Sequence, residues 1–455
     1  MKQQTLEKFR SLFLSAEGYE VALEMAKADP QLEKLVTLTK QRFDSAFPKH
    51  QLATVIKDEK FTLEGAKLDK FPEEICDLIH LKELGIGGNQ IQHLPDLLMR
   101  LTHLRELQLN GNQLKNLPKN IGKLQKLTDL HLEGNQLTQL PTTFKQLKSL
   151  ETLRLNNNYF RNLPTSVGNL SQLIQLNLSN NQLQQIPTNL SKLTRLTVLD
   201  LDENQLSKLP QSIGELSSLH YLRLGNNRLE KLPTSMGALI NLEGVDLNHN
   251  QLKRLPDEVG QWKKLTELAL DRNILETLPT SIGRLKCLTK LALNHNRLVQ
   301  LPRSIGNLSL LRVLSAISNE IISLPNSVGR LVALRTLFLV NNRLQKLPDS
   351  IGKLESLIYL YLDNNALGSI PASIGDLAHL KRLSLSGNRL IQLPTTLGNL
   401  QNLQYLDVGN NNLRSLPQQL NRLKQLKYLK LRMNPLSLKQ IKAISALLPN
   451  CKVEF

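Results

Sequence analysis

The chain has 455 residues, with 57 Lys and Arg against 39 Asp and Glu and a net charge of +18. Aromatics make up only 4%, low for a globular enzyme of this length, and no run approaches the roughly 18 apolar residues of a membrane span. The positive balance raises a nucleic-acid or anionic-lipid reading, whose strength depends on where the charge lies.

Residues 1–57 read as helical. Leu6, Phe9 and Phe13 share one apolar face, and Tyr19, Ala22, Leu23 and Ala26 resume the period after Gly18. Asp29–Pro30 is a helix start, with Asp as N-cap and Pro at the first helical position. Leu32, Leu35, Val36 and Phe43 give a third apolar face that ends at Phe47–Pro48. The segment is expected to cap the open end of the domain that begins at residue 58; a separate adaptor or membrane-surface helix is the sharper alternative. A signal peptide is not expected, because the longest apolar run is Leu12–Leu14 and Glu7, Lys8 and Arg10 interrupt the region.

From residue 58 a 23-residue unit takes over. Its clearest copy is Leu334–Ser356, of the form LxxLxLxxNxLxxLPxxIGxLxx. Asn342 has equivalents every 23 residues from Asn89 to Asn434, sixteen in all, with no insertion. Leu337 and Leu339 alternate with Thr336 and Phe338, which predicts a short strand with one face inward. Leu334, Leu344, Leu347, Ile351 and Leu354 are expected in the core, because one coil cannot bury its apolar side without its neighbours. Asn342 is expected to bond backbone groups left unpaired by the turn. Pro348 favours an extended return path, and Gly352 permits a turn that a side chain would obstruct. At roughly 4.8 Å per strand, seventeen coils predict a concave parallel sheet on the order of 80 Å along its arc.

The first repeat is degenerate, with Phe61, Leu63, Leu68, Phe71 and Pro72 in pattern but Ala66 at the ladder position and Cys76 at the glycine position. Inside the regular repeats Ala316 replaces a core leucine, and the single Trp, Trp262, takes the place of Leu354 and is expected in the core. After Asn434, Leu438, Ile441, Ile444 and Leu447 have helical spacing, and Lys452–Phe455 reads as a last strand.

The period and the LPxxIGxL segment identify a leucine-rich repeat that resembles the Ras-group type. Similar repeats occur in the Ras-suppressor and Scribble-type scaffolds, in plant intracellular relatives and in bacterial intracellular proteins. The resemblance covers about 58–433. It implies a non-catalytic scaffold, with a small GTPase or another signalling protein among the partner classes. It carries over no binding residue, since the partner-contacting positions are the variable ones. The expected fold is an α/β solenoid: a horseshoe with a helical cap over 1–57, repeats over 58–433 and a C-terminal cap over 434–455.

No P-loop, HExxH, GxSxG or GxGxxG motif is present. Gly85, Gly87 and Gly88 read as small residues of an opening repeat. His249 and His295 lie two repeats apart, roughly 9.6 Å by strand spacing and too far for shared zinc ligation. Asp200, Asp202, Glu203 and Asp246 read as a solvated acidic face rather than acid–base machinery. Cys76, Cys287 and Cys451 are widely spaced, with no CxxC, and read as reduced thiols of a cytoplasmic protein. Neither cofactor nor metal is expected.

The outward positions of LxxLxLxx line the concave face. Over the sixteen regular repeats they hold 13 Lys and Arg against 14 Asp and Glu, a net of −1. The excess positive charge is therefore expected on loops and the convex side, as at Lys115, Lys253, Arg254, Lys263, Lys264 and Lys286. Repeats one to nine carry 12 acids and 5 bases outward, and the last seven carry 2 acids and 8 bases. In that second stretch Val313, Ile317, Phe338, Val340, Ile358, Tyr359 and Tyr361 form an apolar cluster. Arg335 and Arg382 flank it, and Tyr405 and Tyr428 extend it. Tyr and Arg dominate interface hot spots, so these eleven residues are the candidate protein-binding site. The competing reading of the cluster is that strands favour aromatic and β-branched residues anyway. The expected function is a signalling scaffold; the alternative is electrostatic binding of nucleic acid or anionic lipid through the convex lysines.

Overall fold

The computed structural model describes residues 8, 9, 12–14, 18–47, 50 and 52–455. Leu6 and Pro48, part of the expected helical segment, lie outside them. The chain falls into two compact units, Met1–Leu206 and Ser207–Phe455.

The first unit opens with helices α1 (Tyr19–Lys27), α2 (Pro30–Ala46) and α3 (Leu52–Lys57). Asp29 caps α2 as expected, its carboxylate accepting from Gln31 N at 2.8 Å with Pro30 next to it. Tyr19, Ala22, Ala26, Leu32 and Phe43 are buried. Leu23, Leu35 and Val36 are only half-buried. α3 was not separately legible. The rings of Phe43 and Phe47 pack on Phe61 in the first strand, with centroids 6.1 and 5.3 Å away. The helices thus cover the apolar end of the first coil.

Seven three-residue strands follow: β1 (Lys60–Thr62), β2 (Glu83–Gly85), β3 (Glu106–Gln108), β4 (Asp129–His131), β5 (Thr152–Arg154), β6 (Gln175–Asn177) and β7 (Val198–Asp200). Each pairs in parallel with the next. The offset is the repeat length, so Leu107 faces Leu130.

The second unit continues the pattern with β8 (Tyr221–Arg223), β9 (Gly244–Asp246), β10 (Glu267–Ala269), β11 (Lys290–Ala292), β12 (Val313–Ser315) and β13 (Thr336–Phe338). Then come β14 (Tyr359–Tyr361), β15 (Arg382–Ser384), β16 (Tyr405–Asp407), β17 (Tyr428–Lys430), helix α4 (Leu438–Leu447) and β18 (Lys452–Glu454). All pair in parallel from β8 to β18. A capping box of Ser437 and Gln440 starts α4. Ile444 faces the core, but Leu438, which shares its helical spacing, is 78% exposed. It sits at the first position of the helix, one turn before the buried stripe begins.

One coil explains the rest. Leu334, Leu337, Leu339, Leu344, Ile351 and Leu354 are fully buried. Trp262 is as well, and its indole N–H donates to Met236 O at 2.8 Å. Pro348 is extended, with φ −73° and ψ 149°, and Asp349–Lys353 then closes as a single 3-10 turn. A turn at Gly352 was expected; its 3-10 form was not. Gly352 is needed less for its own conformation than for the next coil, since a Cβ there would collide with the carbonyl oxygen of Ser373.

The ladder forms as expected. Asn342 Oδ1 accepts from Ile321 N at 3.0 Å, while its Nδ2 donates to Ala316 O at 2.8 Å and Leu339 O at 3.1 Å. The residue just before each ladder Asn lies in the left-handed region in all sixteen regular repeats, with φ from 49° to 68°. Gly and Asn suit it, yet Glu203, His249, Arg272, His295 and Met433 also occupy it. Arg272→Val places a β-branched residue at φ 54° and is expected to cost about 1–2 kcal/mol, with Arg272→Asn neutral. Equal urea midpoints for the two variants would refute this.

Candidate functional site

The parallel offset of one repeat per strand sorts the outward residues of the second unit into columns. One column holds Val313, Thr336, Tyr359, Arg382, Tyr405 and Tyr428 as consecutive register partners. The next holds Ser315, Phe338, Tyr361, Ser384, Asp407 and Lys430. Side chains in one column are close enough to stack.

They do so in a chain. The rings of Phe338 and Tyr361 stack at 4.9 Å between centroids and 11° between planes. The Arg382 guanidinium donates to the Tyr361 hydroxyl at 3.4 Å and lies over the Tyr405 ring at 4.1 Å. Tyr405 and Tyr428 follow at 6.4 Å, and Lys430 Nζ is 5.6 Å from the Tyr405 ring centre. The Tyr361 hydrogen bond holds Arg382 above the usual guanidinium pKa. Burial raises that of the Tyr405 hydroxyl. Arg382, read from the sequence as a flank, is the link between the two aromatic pairs.

Of the predicted residues, Tyr359 and Tyr428 stand 40% and 46% exposed, and Arg335 is exposed too. Val313, Ile317, Phe338, Val340, Ile358, Tyr361, Arg382 and Tyr405 are half-buried. Thr336 separates Val313 from Tyr359 in register, so the apolar column is interrupted. Ile358 lies off the columns, in a hollow of 390 Å³ lined also by Arg335, His379 and Lys381.

The outward acids have a role that the sequence reading missed. Asp246 Oδ1 accepts from Asn248 N at 2.9 Å, and Asp407 Oδ1 from Gly409 N at 3.0 Å. One position further out, Asp271 accepts from Asn294 N at 2.6 Å, and Asn294 from Ile317 N at 2.8 Å. These Asx side chains satisfy amides that the three-residue strands leave open. The recurrence of Asp and Asn at those two positions was the available signal. Asp363 accepts in this way from Ser386 N at 3.1 Å and also from Ser384 Oγ. Burial pushes its carboxyl pKa up, against those bonds.

His249, Arg272 and His295 are exposed. Among the described residues no group of three or more His, Cys, Asp or Glu is placed to hold a metal ion. Nor is any helix among them long and apolar enough to cross a membrane. All three cysteines are unpaired, and burial pushes the Cys76 thiol pKa up to about 12.

A stack of parallel three-residue strands with an asparagine ladder and a side-chain-lined outer sheet face defines a repeat protein of the interaction-module class. The chain belongs to the leucine-rich repeat family: the model of the leucine-rich repeat region matches residues 96–208, 198–315, 300–377 and 369–449. A Leptospira interrogans leucine-rich-repeat protein of known structure is 36% identical, covering 87% of this chain and 95% of that one, with a TM-score of 0.72. A plant peptide hormone receptor, RGFR1, solved with RGF2, is 29% identical over 83% of this chain and 67% of its own, with a TM-score of 0.65. The functional domain of InlJ from Listeria monocytogenes shares the fold at 22% identity, covering 82% and 78%, with a TM-score of 0.65. No curated protein matches the chain. Leucine-rich repeat regions are in general non-enzymatic modules that bind protein partners.

Proposed function

We propose that the chain is a non-catalytic scaffold in cytoplasmic signalling and binds a protein partner on the outward strand face of β12–β17. One observation carries this reading: the connected ladder Phe338–Tyr361–Arg382–Tyr405–Tyr428, with Tyr359 exposed beside it. Aromatic and Arg side chains held by one another lose little entropy on docking, which is what a preorganised hot spot requires. Val313, Ile317, Arg335, Val340 and Ile358 complete its apolar and basic border. The three unpaired cysteines support the cytoplasmic placement. The plant receptor of similar fold, solved with its peptide hormone, supports a polypeptide partner. Residues 1–57 and 434–455 act as caps in this reading. The resemblance keeps a small GTPase among the partner classes.

The test is affinity capture from the source cell's lysate with the native chain and with Phe338→Ala/Tyr359→Ala/Tyr361→Ala, after circular dichroism shows both folded. A specific protein recovered with the native chain is expected to fall at least about tenfold with the variant. Recovery of the same proteins by both would overturn the proposal. Recovery mainly of nucleic acid or lipid, released by salt, would favour the loop lysines instead.

A further inference from the structure

The residues immediately before β12 to β17 are Arg312, Arg335, Ile358, Lys381, Gln404 and Lys427. They form a row along one margin of the aromatic columns. Its four cations are exposed, and among the described residues none of them is held in an ion pair. The outward acids of the same repeats are, by contrast, engaged within the fold. Asp363 accepts from Ser384 and Ser386, and Asp407 from Gly409 N and the Tyr405 hydroxyl at 3.2 Å. The outward bases outnumber these two acids, so the face is positive toward a partner, and its exposed cations outside ion pairs lie on the row.

The spacing of the row restricts what fits. Arg335, Lys381 and Lys427 recur at every second strand, roughly 9.6 Å apart. A polyproline-II segment turns once per three residues and advances about 9.3 Å in doing so, presenting residues i, i+3 and i+6 on one side. A β-extended segment presents same-side residues about 6.7 Å apart, and an α-helix advances about 5.4 Å per turn. Neither matches. Ile358 in its 390 Å³ hollow between Arg335 and Lys381, with exposed Tyr359 beside it, offers an apolar seat between two cations. Aromatic surfaces of this kind receive polyproline-II segments through their ring and aliphatic faces.

We infer that the occupant of this face is an acidic partner segment in the polyproline-II conformation. Its carboxylates, three residues apart, lie on Arg335, Lys381 and Lys427, with its apolar residues on Ile358 and Tyr359. This rests on the proposed partner-binding role of the same face and names the chemistry of the partner.

The probe is a fluorescein-labelled peptide of three Glu-Pro-Leu repeats, read by fluorescence polarisation on the full chain. Controls are the Lys-for-Glu peptide, a peptide of the same composition with its three Glu adjacent, and a labelled oligouridylate. The Lys peptide is expected to bind at least about tenfold more weakly and the adjacent-Glu peptide about fivefold. Arg335→Glu/Lys381→Glu is expected to weaken the Glu-Pro-Leu peptide about tenfold or more. Arg335→Ala/Lys381→Ala serves the same purpose if charge reversal disturbs folding. Equal binding of the Lys or adjacent-Glu peptide would overturn the inference. So would indifference to both row variants, or tighter, salt-released binding of the oligouridylate. If no peptide binds while the aromatic variant still loses its captured protein, this inference fails and the proposed function stands. If neither effect appears, both fail.

Discussion

Asn342→Ala is expected to destabilise the second unit by about 3–5 kcal/mol. The side chain closes three bonds under 3.2 Å: it accepts from Ile321 N and donates to Ala316 O and Leu339 O. Ile321 and Ala316 are fully buried. Alanine leaves their amide and carbonyl without partners where water does not reach, and each orphan costs about 1–3 kcal/mol. Asn342→Asp separates the two halves of the role, since it keeps the acceptor, loses the donor and adds a buried charge. It is expected to be at least as harmful as alanine. Urea unfolding gives the size of the effect, and exchange at the Ile321 amide gives its place. A loss below about 1 kcal/mol, with Ile321 still protected, would mean that the coil closes without the ladder.

That bond set was legible because the repeat announces it. One asparagine in one register implies one backbone geometry, repeated, and the observed bonds recur at the same offsets from Asn112 to Asn411. Strand position and core leucines followed for the same reason. What stayed hidden lacked a residue-type signature. The 3-10 turn after Pro348 spans five residues, too few for periodicity to show. The left-handed position before each ladder Asn is masked by the Arg, His, Glu and Met that share it with Gly and Asn.

The candidate site was half legible. Which side chains share a column follows from the 23-residue offset, so the nearness of Phe338 to Tyr361 was implicit in the sequence. How Arg382 is used was not. A guanidinium one strand beyond Tyr361 can reach solvent, an acid or a ring; here it takes the Tyr361 hydroxyl and the Tyr405 face. The acids were misjudged for a related reason. A sequence count treats Asp363 and Asp407 as free charge, whereas their hydrogen bonds to backbone amides make them part of the coil. Their charge still counts on the face, but their oxygens are already used and are less free to receive a partner's donors.

Gly306→Ala is expected to cost about 3 kcal/mol, although alanine is the mildest side chain that can be added. The glycine does not have positive φ, so backbone strain is not the cause. A Cβ at this position would overlap the carbonyl oxygen of Ser327 in the next coil and lie 2.8 Å from that residue's carbonyl carbon and Cβ. All three are fixed parts of a neighbouring 3-10 turn, Asn326–Arg330, not the end of a flexible side chain. Relief requires the two coils to separate on this side, which disturbs the packing of Ile305 and Val328, both fully buried. Gly368→Ala is the matched control: nothing lies within 4 Å of its added Cβ and its φ is not positive. It is expected to be neutral or stabilising by up to about 1 kcal/mol through the unfolded chain. Equal losses at both positions would assign the effect to glycine flexibility in general. A loss confined to Gly306 would show that the close approach of successive turns sets the glycine requirement.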